Sequence, residues 1–270
     1  MSDIVLTAGV RSNLLNLQQT SSLMTTVQDQ LATGKKVNSA LDNPISYFTS
    51  QSLTNRANSL SSLLDSMSNA FQTIQAANNG ISSITKLVQS AQALVSQAQQ
   101  TADTSVRAGL ATQFNAVLTQ IDQLAGDSGF NGINLLANSS LTVTLNESGT
   151  STVTVSGVAD STTALALNNA TNNFAGAADL TTASTALTAA LTTLQSQAQS
   201  FGTNLSTVQI RQDFTKSMVD TLQTGSDNLT LADSNQAGAD LLALQTRQQL
   251  STTALSLASQ ASQSVLRLFG

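Results

Sequence analysis

From Val10 the apolar positions advance by alternating fours and threes through Val10, Leu14, Leu17, Ser21, Met24, Gln28 and Leu31, with Val27 beside the weakest of them. That step is the period of one face of an α-helix and of a coiled-coil seam. The same step returns at the far end through Leu250, Ala254, Leu257, Ala261, Val265 and Leu268, which predicts a helix over 232–269. Neither segment is self-sufficient. Burying Leu250, Leu257, Val265 and Leu268 returns roughly 2 kcal/mol each, while ordering each backbone residue costs about 1–2 kcal/mol. Each seam therefore needs a covering face, and the two terminal seams are candidates to cover one another or their counterparts in neighbouring molecules.

Between them the helical period recurs. Leu60, Leu63, Met67, Ile74, Ala77, Ile81, Ile84, Val88, Ala91, Val95 and Ala98 hold one stripe, and Gly80 does not break its phase. One helix over 60–98 is roughly 58 Å long at about 1.5 Å per residue. Leu110, Phe114, Val117, Ile121 and Leu124 form another stripe, and Leu187, Leu191, Leu194, Ala198, Phe201, Leu205 and Val208 form a further one. Gly129-Phe130-Asn131-Gly132 is a turn signal. After it the period drops to two: Leu141, Val143 and Leu145 alternate with polar residues, then Val153, Val155 and Val158 do nearly the same, which predicts a hairpin. Residues 165–176, rich in Asn, Ala and Thr, predict no element. The expected fold is mainly α, an elongated antiparallel coiled coil or helical bundle carrying a small hairpin-containing insertion.

The junction after the first helix is well marked. Gly34 suits a left-handed C-terminal cap, Lys35-Lys36 complements a helix dipole, and Asn38, Ser39 and Asp42 lead to Asn43-Pro44, a helix start with proline in its first turn.

Composition narrows the chemistry. Only 9% of residues are charged and 3% aromatic, there is a single proline, and fourteen of the fifteen acids are Asp. His and Cys are absent, so serine–histidine and thiol nucleophiles, disulfides and imidazole or thiolate zinc sites are excluded. The reading is of a protein that is not an enzyme and takes no cofactor or metal. Asp227, Asp233 and Asp240 lack the spacing of a calcium loop and read as helix acids. A net charge of −5 with no basic run longer than Lys35-Lys36 argues against nucleic acid as a partner. No apolar run has the length of a membrane span, and the first eight residues lack a basic leader followed by an apolar run, so membrane insertion and ordinary secretory export are not expected.

With these patterns in place, the chain resembles bacterial flagellin at three points in the right order. Residues 31–44, Leu-Ala-Thr-Gly-Lys-Lys-Val-Asn-Ser-Ala-Leu-Asp-Asn-Pro, look like the family's helix, glycine turn and Asn-Ser-Ala-x-Asp connector. Phe130-Asn131-Gly132 is similar to the motif that leaves the helical domain. Ala232-Asp233-Ser234-Asn235, followed by residues 257–261 and 264–268, resembles the closing helix.

The resemblance implies a structural subunit that self-assembles helically into the extracellular flagellar filament for swimming motility. It further implies that 1–43 and 230–270 form the inner coiled-coil domain. Residues 44–136 and 180–229 form a helical bundle domain, and 137–179 a short outward-facing variable insertion. The self-assembly seam is then Val10, Leu14, Leu17, Met24, Leu31, Leu250, Leu257, Val265 and Leu268, and the connector motif is Gly34, Asn38, Ser39, Asp42 and Pro44. Implied partners are neighbouring subunits, the filament cap, hook-junction proteins and a cytosolic chaperone for flagellar type III export, which uses no cleavable signal peptide. Flagellins sensed by Toll-like receptor 5 carry an arginine and a glutamate on the long helix. Ala91 falls near the arginine's place and 89–99 holds neither residue, so weak or no recognition is expected. The competing readings are a hook–filament junction protein, a cytosolic coiled-coil scaffold and a secreted adhesin.

Overall fold

The computed structural model describes residues 8–269, with the side chains of 8, 262 and 265–269 left aside. The chain is mainly α. Five helices, α1 (Ala8–Thr33), α2 (Pro44–Gln99), α3 (Thr104–Asp127), α4 (Ala177–Thr230) and α5 (Ser234–Phe269), are joined by an antiparallel hairpin, β1 (Leu141–Thr144) and β2 (Thr152–Val155), between α3 and α4. Two compact units result, one of residues 56–220 and the other of residues 1–55 with 221–270. Their boundaries fall inside α2 and α4 rather than at the connectors near 43 and 230.

In the unit of residues 56–220, α2 buries Met67, Ala70, Ile74, Ala77, Ile81, Ile84, Val88, Ala91, Val95 and Ala98 along one side, the strict alternation of three and four that a single helical face demands. The alanines leave room for close neighbours. A polar turn at 100–103 ends the run, and Asp103 caps α3 by accepting hydrogen bonds from the N–H groups of Ser105 (2.8 Å) and Val106 (3.3 Å). Helix α3 contributes Leu110, Phe114, Leu118 and Ile121, and α4 contributes Leu180, Leu187, Leu194, Phe201 and Val208, to the same core. Gly80 has a packing role. A Cβ there would run into Ser128 and come within 2.7 Å of Leu136 Cδ1, so α2 tolerates glycine mid-helix in exchange for this close crossing.

The hairpin pairs Leu141 with Val155 and Val143 with Val153. Its alternation puts Leu141, Val143, Leu145 and Val155 into the core with Met67 and Ile74, while Thr142 and Thr154 face solvent. At its loop, Arg56 Nε donates to Glu147 Oε1 at 2.8 Å. The segment expected to face outward therefore lines the core with one of its sides. The same holds for 165–176. Leu165, Leu167 and Phe174 are buried, Phe174 stacks edge-on to Phe114 with ring centroids 5.2 Å apart, and three successive residues, Asn172, Asn173 and Phe174, take positive φ to seat it. Arg107 braces this return by donating to the carbonyls of Ala98, Thr101 and Ala175 (2.8–3.1 Å).

In the unit of residues 1–55 and 221–270, α1 packs along α5. Gly34 adopts φ 69° as the left-handed residue that ends α1. The chain then runs antiparallel to the α4–α5 junction: Lys35 bridges Leu231, Lys36 N–H donates to Thr230 O (2.8 Å) and Ala232 N–H to Gly34 O (3.0 Å). The Lys36 ammonium donates to Asn228 O at 3.1 Å, so it serves the C-terminus of α4 rather than that of α1. Asp233 begins α5 as its cap, accepting from Asn235 N–H (2.9 Å) and Gln236 N–H (3.2 Å).

Candidate assembly surface

The terminal pair carries the residues expected to form the seam. On α1, Val10, Leu17, Met24 and Leu31 are half-buried, and Leu14 is 38% exposed. Between them Thr20 is buried, its hydroxyl donating to Asn16 O at 2.8 Å, so a polar side chain sits on the packed side without an orphaned group.

On α5 the withdrawn positions are Ala237, Leu241, Leu244, Gln248, Ser251, Leu255 and Ala258, again at steps of four and three. Leu250 and Leu257 lie outside this set, exposed by 67% and 61%, and Leu242 joins them at 66%. Spacings of eight and seven return to one side of a 3.6-residue helix, and that side is roughly opposite the one carrying Leu241, Leu244 and Leu255. Helix α5 is thus apolar twice over. One stripe meets α1 in the same chain, and an outer leucine ridge meets solvent. The side chains of Val265 and Leu268 fall outside the described residues.

The phase difference has a physical cause. A heptad pattern with apolar residues at two offsets fits a helix that has two neighbours. The spacing of the sequence picks out only Leu250 and Leu257, which fall on the outer ridge and not on the stripe that meets α1. The stripe that α1 takes contains Gln248 and Ser251, which is why its apolar signal is the weaker.

The connector is built by polar contacts. Asp42 Oδ2 accepts from Asn38 N–H (2.9 Å), Ser39 N–H (2.9 Å) and the Ser39 hydroxyl (3.2 Å). The Ser39 N–H, then the Asn38 N–H, hold the Asp42 carboxyl below its usual range. Asn43 Oδ1 accepts from Ser46 N–H at 3.0 Å, with Pro44 in the first turn of α2. Ser50 and Thr54 of α2 meet Ser226 of α4 through hydroxyl contacts of 2.9 and 3.0 Å. Sequence reasoning missed that Leu41, Ile45 and Phe48, in and just after this connector, stand in solvent, because their steps of four and three match those of a packed helical face.

Residues 7–141 match the family model of the bacterial flagellin N-terminal helical region. Flagellins FljK and FljM of Caulobacter vibrioides (strain ATCC 19089 / CIP 103742 / CB 15) are 32% and 31% identical to this chain, each over 100% of it and 99% of the relative. A crystal structure of Bacillus cereus flagellin is similar over 54% of this chain and 86% of that one, with a TM-score of 0.48 and 19% identity. Full-length similarity above 30%, the matched N-terminal helical region and the mainly helical fold lead to one conclusion: the chain belongs to the bacterial flagellin family and is a subunit of the flagellar filament.

Proposed function

We propose that polymerisation is driven by the outer leucine ridge of α5, with Leu242, Leu250 and Leu257 seated against the terminal helices of neighbouring subunits. The observation that carries this is the two-sided apolarity of α5, of which only one side is covered among the described residues. Full burial of a leucine is worth about 1.5–3 kcal/mol. Three leucines roughly two-thirds exposed therefore hold on the order of 3–6 kcal/mol per subunit in reserve, repeated along the filament. In this arrangement 1–43 and 230–270 form the inner layer, with Val10, Leu14, Leu17, Met24, Leu31, Val265 and Leu268 completing the seam and the connector from Gly34 to Pro44 leading outward. The role is structural and not enzymatic. Export proceeds through the flagellar type III apparatus, delivered by a cytosolic chaperone, and assembly meets hook-junction proteins at one end and the cap at the other.

Leu257→Asp is the test. A charge buried in the ridge without a partner costs several kcal/mol, so purified Leu257→Asp protein should stay monomeric where the parent forms filaments, with unchanged helicity by circular dichroism. Filaments of ordinary yield from the variant would remove the ridge from the assembly surface.

Recognition by Toll-like receptor 5 should be weak. Ala91 is fully buried, so the solvent-facing positions of that strip are Gln89, Ser90, Ala93, Ser96, Gln97 and Gln99, none of them charged. A receptor reporter assay on purified monomer should read near background. A response matching that to a strongly stimulating flagellin would reject this.

A further inference from the structure

The turn after α3 contains Asn131-Gly132, one of two Asn-Gly pairs in the chain; the other is Asn79-Gly80. Asparagine is chemically labile, and most so before glycine, which has no side chain to shield its backbone nitrogen. That nitrogen attacks the asparagine Cγ. The new N–Cγ bond closes a cyclic imide, the Cγ–Nδ2 bond breaks, and ammonia leaves with the proton of the attacking N–H. Water then opens the imide at either carbonyl, giving aspartate or isoaspartate.

Ring closure requires Asn131 Cβ and Gly132 N to lie on the same side of the Asn131 Cα–C bond. Phe130 N–H donates to Ile133 O (2.9 Å) and Ile133 N–H to Phe130 O (3.0 Å), with Asn131 at φ 50° and Gly132 at φ 81°. These are the angles of a type I′ turn, whose first central residue has ψ of roughly +30°. At that ψ the nitrogen stands nearly opposite Cβ, so the turn exposes Asn131 to solvent yet keeps it out of reach of its own attacker. Two hydrogen bonds close this turn, and a Cβ at Gly132 would meet nothing within 4 Å, so it can open locally. Asn79-Gly80 is placed differently. It lies in the interior of α2, where Gly80 is buried against Ser128 and Leu136 and flanked by the buried Ala77 and Ile81. Freeing that pair means taking the core apart.

We propose that Asn131 is the site of spontaneous deamidation in the folded protein, gated by opening of its turn, with Asn79 spared by α2 until the unit of residues 56–220 unfolds. The isoaspartyl product routes the chain through the former side chain and so inserts a methylene into the backbone. A two-residue turn has no room for that insertion. Ile133 packs against the core and Leu135 and Leu136 are part of it, so a chain modified at Asn131 is loosened at the exit from α3.

The test is incubation of the purified full-length protein in mildly alkaline buffer, native or in concentrated urea, followed by peptide mapping that separates aspartyl from isoaspartyl forms. In urea, where neither pair is shielded, both should convert at comparable rates. In native buffer Asn131 should convert at least about tenfold more slowly than in urea, because only the open fraction reacts. Asn79 should be at least about tenfold slower again. Equal rates at Asn131 with and without urea overturn the gate. Conversion of Asn79 as fast as that of Asn131 in native buffer, or no conversion at Asn131 in either condition, overturns the site. Asn131→Asp supplies the charge without the methylene and suits the same turn. It should keep the parent's thermal midpoint while an isoaspartyl-enriched fraction melts lower; a variant melting as low as that fraction would assign the damage to charge and overturn the role given to turn geometry.

Discussion

Asp160 is the residue whose environment departs furthest from the rest of the chain. It follows the hairpin, its N–H donates to Leu136 O at 3.0 Å, and its side chain is fully buried. Neither of its carboxyl oxygens has a hydrogen-bond partner, and the same is true of Oε1 of the nearby Gln197. Burial pushes the carboxyl up to about 6 from an ordinary 3.8. The folded pKa lies above the unfolded one, so the protonated acid is the form the fold prefers. Its contribution is intact below pH 3.8 and is lost as pH climbs through about 6, reaching up to roughly 3 kcal/mol. Asp160→Asn keeps the shape and removes the ionisation. It should raise the urea midpoint at pH 7.5 and leave it unchanged at pH 4, where a drop at pH 7.5 would mean that the ionised carboxylate is stabilised in place. Gly80 makes a second case at this scale. Alanine gains about 1 kcal/mol of helix propensity, but the added Cβ collides with Ser128 and crowds Leu136, and overpacking costs about 1–3 kcal/mol. Gly80→Ala should therefore lower the thermal midpoint by a few degrees; a rise would show that α3 shifts away freely.

Among the elements, α5 carries two apolar sides, and the division of labour proposed for them is measurable. Leu255 is half-buried on the stripe that meets α1, while Leu257 is on the ridge. Leu255→Asp should reduce monomer helicity because α1 loses its cover, whereas Leu257→Asp should leave it unchanged. Equal losses from the two variants would mean that the sides are not independent. The helices themselves are legible from spacing, since Met67 to Ala98 and Leu187 to Val208 repeat at three and four with little ambiguity. The hairpin is equally legible, because Leu141, Val143 and Val155 alternate. Which of two apolar stripes on α5 takes the intramolecular partner is not, because both satisfy the period and the chosen one includes Gln248 and Ser251. Residues 165–176 stay silent for another reason. Phe174 is held by left-handed backbone at Asn172 and Asn173 and by the Phe114 ring, a tertiary arrangement that local propensity does not encode. The burial of Asp160 is likewise set by what packs over it, and no pattern of neighbours announces a buried carboxylate.

At the scale of the whole molecule, the two units differ in how they are held. Residues 56–220 share one continuous apolar core drawn from α2, α3, α4 and the hairpin, with many side chains fully removed from water. In the unit of 1–55 and 221–270, the buried apolar side chains among the described residues are Val37, Leu222 and Ala237, none of them fully removed from water, and α1 has none of them. Half-buried side chains contribute about half of the 1.5–3 kcal/mol that full burial of a large residue returns, set against about 1–2 kcal/mol of backbone entropy per residue. By that balance the α1–α5 pair opens locally at far lower free energy than the core of residues 56–220. On the proposed assembly, a subunit whose terminal helices are only marginally paired gains most of its terminal order from polymerisation, since each added copy binds the ordered form alone. Hydrogen exchange on the purified monomer should find the amides of 8–33 and 234–264 exchanging at least about a hundredfold faster than those of 74–98. In filaments the terminal amides should become protected by orders of magnitude while those of 74–98 change little. Terminal amides protected in the monomer to the level of 74–98 would mean that the partner within the chain suffices, and that the leucine ridge contributes contact without order.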